Sequence, residues 1–130
     1  AQAIVQEIAE KTGYTQMTAM KLSDYRTLPG KDYLVIQSTS VGLAPHDHEA
    51  VIEDPAFYEK ISKGYDLVYR PADTRFMQLV REHGGEAYNG LKMLLYQGII
   101  AFELWNQVEI TEDQAAIVYE KLKEACYGKE

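Results

Sequence analysis

Asp32-Tyr33-Leu34-Val35-Ile36-Gln37, followed at once by Ser38-Thr39-Ser40-Val41-Gly42, decides how the chain is read. The apolar run 33–36 suits a strand buried on both faces, the habit of parallel sheets, rather than one with a wet side. In open α/β sheets ligands bind beyond the carboxyl ends of the strands. The segment after this strand has small hydroxyl residues and a glycine, which let a backbone approach a ligand closely and offer N–H and O–H donors. A plain chain reversal has the same composition, so the loop alone leaves both readings open.

Working outward, residues 1–11 place Ile4, Val5 and Ile8 at helical spacing with Gly13 just beyond, which predicts a helix with a glycine stop. Residues 14–20 read as a short strand, and Pro29-Gly30 as a turn after 22–28. Asp54-Pro55 is a helix start, with Asp as cap and Pro in the first helical position, predicted to run through Phe57 and Ile61 to a stop at Gly64. Residues 65–69 form the next expected strand, broken by Pro71. Residues 73–83 read as a helix with Phe76, Leu79 and Val80 inward and Gly84-Gly85 at its end. A last strand is expected at 86–89. The run 90–106 is apolar almost all round, which predicts a helix covered on most sides. Thr111 and Gln114 make a capping box opening a final helix, with Ala115, Val118, Tyr119 and Leu122 inward. Alternating strands and helices with short connections give the class: α/β, a parallel sheet flanked by helices, with a helical C-terminal end.

Length and composition narrow the function. With 130 residues, 46% hydrophobic and 25% charged, the chain has the make-up of one ordinary globular domain. No window approaches the ~18 consecutive apolar residues of a membrane span. The net charge of −7 and the lack of a basic stripe argue against nucleic acid as a partner. Cys126 stands alone, which removes internal disulfides and thiolate zinc sites, and the cytoplasm is the expected compartment. Ala1 is preceded by no Met, and no Ser, Thr, Asp or Asn caps the first turn, so the chain is expected to be a fragment of a longer polypeptide.

Gln97 is the odd residue in the apolar helix, because a dry amide without partners costs about 1–3 kcal/mol. Gly90, Met93 and Gln97 share a helical face, a stripe suited to a flat ligand ring. A neighbouring loop carbonyl would satisfy Gln97 equally well. His46, Asp47, His48 and Glu49 are metal ligands by type, yet they lie in the longest loop, 41–53, without the i, i+4 spacing that holds two imidazoles on one ion, so no metal site is expected. His83 reads as a helix C-terminal cap. Cys126 has no base near it in sequence, and the charged residues of 112–123 read as a solvated face.

Several motifs then stand in order: Gln37-Ser38-Thr39-Ser40-Val41-Gly42-Leu43; Tyr65-Asp66-Leu67-Val68-Tyr69-Arg70-Pro71 with Ala72-Asp73-Thr74-Arg75; Asn89-Gly90-Leu91-Lys92-Met93-Leu94-Leu95-Tyr96-Gln97-Gly98; and Ala101-Phe102-Glu103-Leu104-Trp105. Together, over about 37–105, they resemble the C-terminal half of the shikimate dehydrogenase family. The resemblance implies a Rossmann-like NADP-binding domain. The acid–base pair, a Lys and an Asp, and most of the shikimate site would belong to an N-terminal domain not represented here. It implies that residues 1–130 form one domain, the C-terminal part of the dinucleotide-binding domain including the helices of 90–127, with the first βαβ portion missing. By position, Ser38, Thr39 and Ser40 match the loop along the dinucleotide, Gly90 and Met93 match positions beside the nicotinamide, and Tyr69 and Gln97 match residues that hold shikimate. No catalytic residue falls on this chain.

The departures are specific. The glycine-rich phosphate loop and the basic motif that selects the 2′-phosphate of NADP are absent, which leaves NAD open as the cofactor. Gln37 stands where many members have Asn, and Lys92 where many have Gly. The resemblance implies a parent enzyme interconverting 3-dehydroshikimate and shikimate, or a broader one that also oxidises quinate, with this chain inactive alone. An incomplete sheet leaves an open edge and an uncovered apolar face, so a homo-oligomer of the fragment is expected. The competing reading is a noncatalytic interaction module in which the hydroxyl loop is only a turn. The enzymatic reading of the residues themselves expects Gln97 to be dry and unsatisfied by its own chain.

Overall fold

A computed structural model describes residues 1–128 and divides the chain into two compact units, Ala1–Gly30 and Lys31–Glu130. The first holds helix α1, Gln2–Thr12, stopped by Gly13 at φ 72°, and a 3-10 turn, Leu22–Thr27. The strand expected at 14–20 is not there. A strand needs a partner for its backbone groups, and the described residues of this unit contain none.

The second unit runs β1 (Tyr33–Gln37), α2 (Pro55–Tyr58), β2 (Ile61–Asp66), α3 (Arg75–Glu82), β3 (Glu86–Tyr88), α4 (Leu91–Asn106) and α5 (Glu112–Tyr127). The three strands pair in parallel in the order β1-β2-β3. Caps fall where the sequence puts them. Asp54 accepts from the Ala56 N–H ahead of Pro55, and Thr111 and Gln114 form the reciprocal box that opens α5. Thr74 caps α3 by accepting from the Met77 N–H.

α2 stops at Tyr58, and Gly64, expected as its end, lies inside β2. The glycine serves packing instead. A Cβ at 64 would lie 2.8 Å from Val80 Cγ2 and 3.1 Å from the Phe76 ring, so its absence is what lets α3 rest on the strand. β2 therefore begins and ends earlier than the expected 65–69, which leaves Leu67, Val68 and Tyr69 beyond its carboxyl end.

Val35, Gly64 and Ala87 are register partners on the face beneath α3, where Tyr58, Ile61, Phe76, Met77, Leu79 and Val80 form the core. The opposite face carries Leu34 and Ile36, 64% and 59% exposed, with Tyr65 stacked on its partner Tyr88. β1 is thus buried on one face only, contrary to expectation, because among the described residues of this unit no helix covers Leu34 and Ile36.

α4 departs in the same way. Only Leu91 and Leu95 are buried, while Met93, Tyr96, Ile100, Phe102, Leu104 and Trp105 are exposed. α5 packs on α4 and buries Ala115, but Val118, expected inward, is 47% exposed, and Tyr119 and Leu122 are half-buried. Its charged side forms short-range pairs, Lys121 with Glu124 at 3.2 Å and Lys123 with Glu120 at 3.5 Å. No helix among the described residues is long and apolar enough to cross a membrane.

Candidate ligand site at the carboxyl ends of the strands

Past the ends of β1 and β2 lies a cleft of about 1130 Å³, walled by Thr39, Leu43, the segment 67–71 and the end of α5 at 125–127. Its shape rests on a buried polar hub. Asp66, fully buried at the last position of β2, accepts from Gln37 Nε2 at 3.3 Å, from the Val68 N–H at 2.9 Å and from the Thr74 hydroxyl at 2.6 Å. Gln37 Nε2 also donates to the Val41 carbonyl at 2.8 Å, while its Oε1 accepts from the Thr39 N–H at 2.5 Å. One carboxylate and one amide thereby fix both loops that wall the cleft. Gln37 spans the distance to the far side of its own loop. Burial raises the Asp66 pKa above the ordinary carboxylate range, and the hydrogen bonds from Thr74, Val68 and Gln37 oppose that shift without cancelling it.

Glycines serve the hub in two ways, one by backbone conformation and one by close approach. Gly42 takes φ +101° and packs against the Thr74 side chain, a backbone state side-chain-bearing residues rarely adopt. Gly90 donates its N–H to the Val68 carbonyl at 3.1 Å, and a Cβ there would sit 2.1 Å from the Leu67 carbonyl oxygen.

The residues singled out from sequence are distributed unevenly around this cleft. Thr39 and Tyr69 line it. Ser38 and Ser40 flank Thr39 and are exposed, and Gly90 is buried directly behind the Leu67–Val68 wall. Met93 and Gln97 are not among the lining residues; both stand exposed on α4. Gln97 is therefore not the dry amide that its apolar neighbours suggest. The desolvation argument for it fails, because the helix face around it is uncovered in this chain. His46 pairs with Glu49 at 3.0 Å, His48 is exposed, and His83 Nδ1 meets the Leu79 carbonyl at 2.8 Å at the end of α3, as a cap should. Lys92 lies over the Tyr119 ring at 5.7 Å, outside the cleft. Asp66 and Thr74 escaped notice as determinants. No short stretch of sequence signals their pairing, since Asp66 ends β2 and Thr74 opens α3 eight positions on.

A parallel sheet with its cleft beyond the carboxyl ends defines the class, a Rossmann-like α/β unit of the kind that binds nucleotides. No protein-family model matches the chain. A shikimate dehydrogenase (NADP+) of Streptococcus equi subsp. zooepidemicus is 41% identical over 81 residues, 62% of this chain and 28% of the relative. Among solved structures, a chorismate mutase/shikimate 5-dehydrogenase fusion from Clostridium acetobutylicum superposes with TM-score 0.73 at 32% identity, covering 82% of this chain and 39% of that one. A shikimate 5-dehydrogenase of Listeria monocytogenes, in complex with shikimate and NAD, superposes with TM-score 0.75 at 25% identity over 97% of this chain and 42% of that one. The chain is homologous to one part of the shikimate dehydrogenases, oxidoreductases whose curated members here are 32–41% identical to it. It spans about a third of the length of the curated relatives it matches.

Proposed function

We propose that this chain is the nucleotide-domain part of an NADP-dependent shikimate dehydrogenase, which reversibly reduces 3-dehydroshikimate to shikimate in aromatic amino acid biosynthesis. The observation that carries the reading is the cleft beyond β1 and β2, walled by Thr39 and Tyr69, in a chain 41% identical over 81 residues to a shikimate dehydrogenase. The volume suffices for a flat ring with its sugar.

In this reading the loop 38–40 runs along the dinucleotide. Gly90 keeps the Leu67–Val68 wall in place beside the nicotinamide ring, and Met93 lies next on α4. Tyr69 and Gln97 hold the hydroxylated carbocycle, Tyr69 from within the cleft and Gln97 from the open face of α4. The nicotinamide, when bound, supplies or accepts a hydride. The protein's share at these residues is to bind, orient and exclude water, since hydride transfer needs the two carbons held in contact. The proton would be moved by the acid–base pair of the other domain, so the chain alone transfers no hydride.

The test is a spectrophotometric assay of the full-length product of the gene, with shikimate and quinate offered separately and NADP+ and NAD+ compared. NADPH formation with shikimate is expected there, and none with the 130-residue chain alone. Absence of activity on both substrates with both cofactors would overturn the proposal. The apolar residues bare on β1 and α4 also make self-association of the isolated chain the expected state. Light scattering should give a mass of at least twice 14.8 kDa, and a monomer at high concentration would refute this.

A further inference from the structure

Packing alone does not account for one set of contacts at the end of α5. The Tyr127 hydroxyl donates to the Tyr69 carbonyl at 2.6 Å, and Asn89 Nδ2 reaches both that hydroxyl, at 3.3 Å, and the Ala72 carbonyl, at 2.9 Å. The remaining atom of the amide, Asn89 Oδ1, accepts from the Leu91 N–H at 3.1 Å, at the first residue of α4. One amide and one phenol thus join three pieces that are far apart in sequence: the β3–α4 junction, the end of the last helix and the segment 69–72. The same end of α5 lines the cleft together with Tyr69. Partial burial, and then the neighbouring Cys126, raise the Tyr127 pKa, so the phenol stays a donor at neutral pH.

We propose that Tyr127 and Asn89 are positioning residues of the ligand site: they pin the backbone of 69–72 so that Tyr69 is held in the cleft, and they make the end of α5 one wall of it. This rests on the reading above, in which Tyr69 binds the hydroxylated substrate. A side chain fixed through its own carbonyl loses less freedom on binding than one on a loose loop, and that gain belongs to ligand affinity rather than to the chemical step.

Tyr127→Phe removes one hydroxyl and keeps the ring. Cys126 is the only cysteine of the chain, so its alkylation by iodoacetamide, followed by mass, reports how firmly the end of α5 is held. The variant should be alkylated about three- to tenfold faster than wild type, the factor expected from losing one neutral hydrogen bond. In the full-length dehydrogenase the same substitution should raise KM for shikimate about three- to tenfold while kcat falls by less. An unchanged alkylation rate overturns the proposal. Faster alkylation with an unchanged KM overturns it too, by reducing the contact to a fold contact. If the full-length protein oxidises neither shikimate nor quinate, it is the functional reading that fails, and the alkylation comparison alone decides whether the clamp exists.

Discussion

Replacing Gly90 by Ala is expected to destabilise the chain by about 3 kcal/mol or more, at the upper end of what overpacking costs. The added methyl would stand 2.1 Å from the Leu67 oxygen, 2.7 Å from its carbonyl carbon and 3.1 Å from its Cα. These are backbone atoms, which cannot rotate aside as a side-chain tip can. Relief requires the β3–α4 junction and the 67–68 segment to separate, and that breaks the Gly90 N–H bond to the Val68 carbonyl. Because Leu67 and Val68 wall the cleft, the damage reaches the ligand site as well as the fold. Gly98, eight residues on in α4, is the internal control. A Cβ there meets nothing within 4 Å, so Gly98→Ala should stabilise by about 0.5–1 kcal/mol through helix propensity. Urea midpoints of the two variants should move in opposite directions, and a Gly90→Ala midpoint equal to wild type would refute the account.

The second large effect is expected at Asp66. Asp66→Ala leaves the Thr74 hydroxyl and the Val68 N–H without their buried acceptor and removes one of two acceptors from Gln37 Nε2. With each buried orphan worth about 1–3 kcal/mol, the loss should total about 3–5 kcal/mol. Asp66→Asn keeps an acceptor in place and should cost less, and it also exposes the pH dependence. The folded pKa of Asp66 lies above its unfolded value, because burial outweighs the hydrogen bonds. Between those two values the folded chain holds the proton more tightly than the unfolded chain does. Its contribution is therefore fully present below the unfolded pKa and declines as pH rises to the folded pKa. Wild type should thus lose stability relative to Asp66→Asn as pH climbs out of the ordinary carboxylate range. Urea titrations at a series of pH values measure the gap, and a gap that moves the other way would refute the assignment.

What could be read from sequence was decided locally. Asp54-Pro55 and the Thr111–Gln114 box act through bonds to residues two or three positions away, so a short window contains the whole interaction. The resemblance to the shikimate dehydrogenases rested on motif order, and the relatives bear it out. The misreadings concern burial. Leu34, Ile36 and the apolar side of α4 were expected to be covered because apolar residues usually are, but coverage depends on which other elements exist and where they pack. Gly64 looked like a helix stop because its reason, the approach of Val80 and Phe76, lies 12 to 16 residues downstream. Asp66 carried no local sign of being a hub, since its partners come from β1, from its own following turn and from the start of α3. Gln97 failed for the converse reason. Its neighbours in sequence are apolar, yet its neighbours in space leave it open.

The strands lie side by side in the order in which the chain makes them, and this governs how such a protein can change over evolutionary time. Two of the stretches bordering the cleft leave one strand and return to an adjacent one, so lengthening 38–54 or 67–74 would enlarge the mouth without threading anything through the sheet. Substrate size could then be retuned by insertion and deletion, while the ladder of backbone pairing beneath is inherited unchanged.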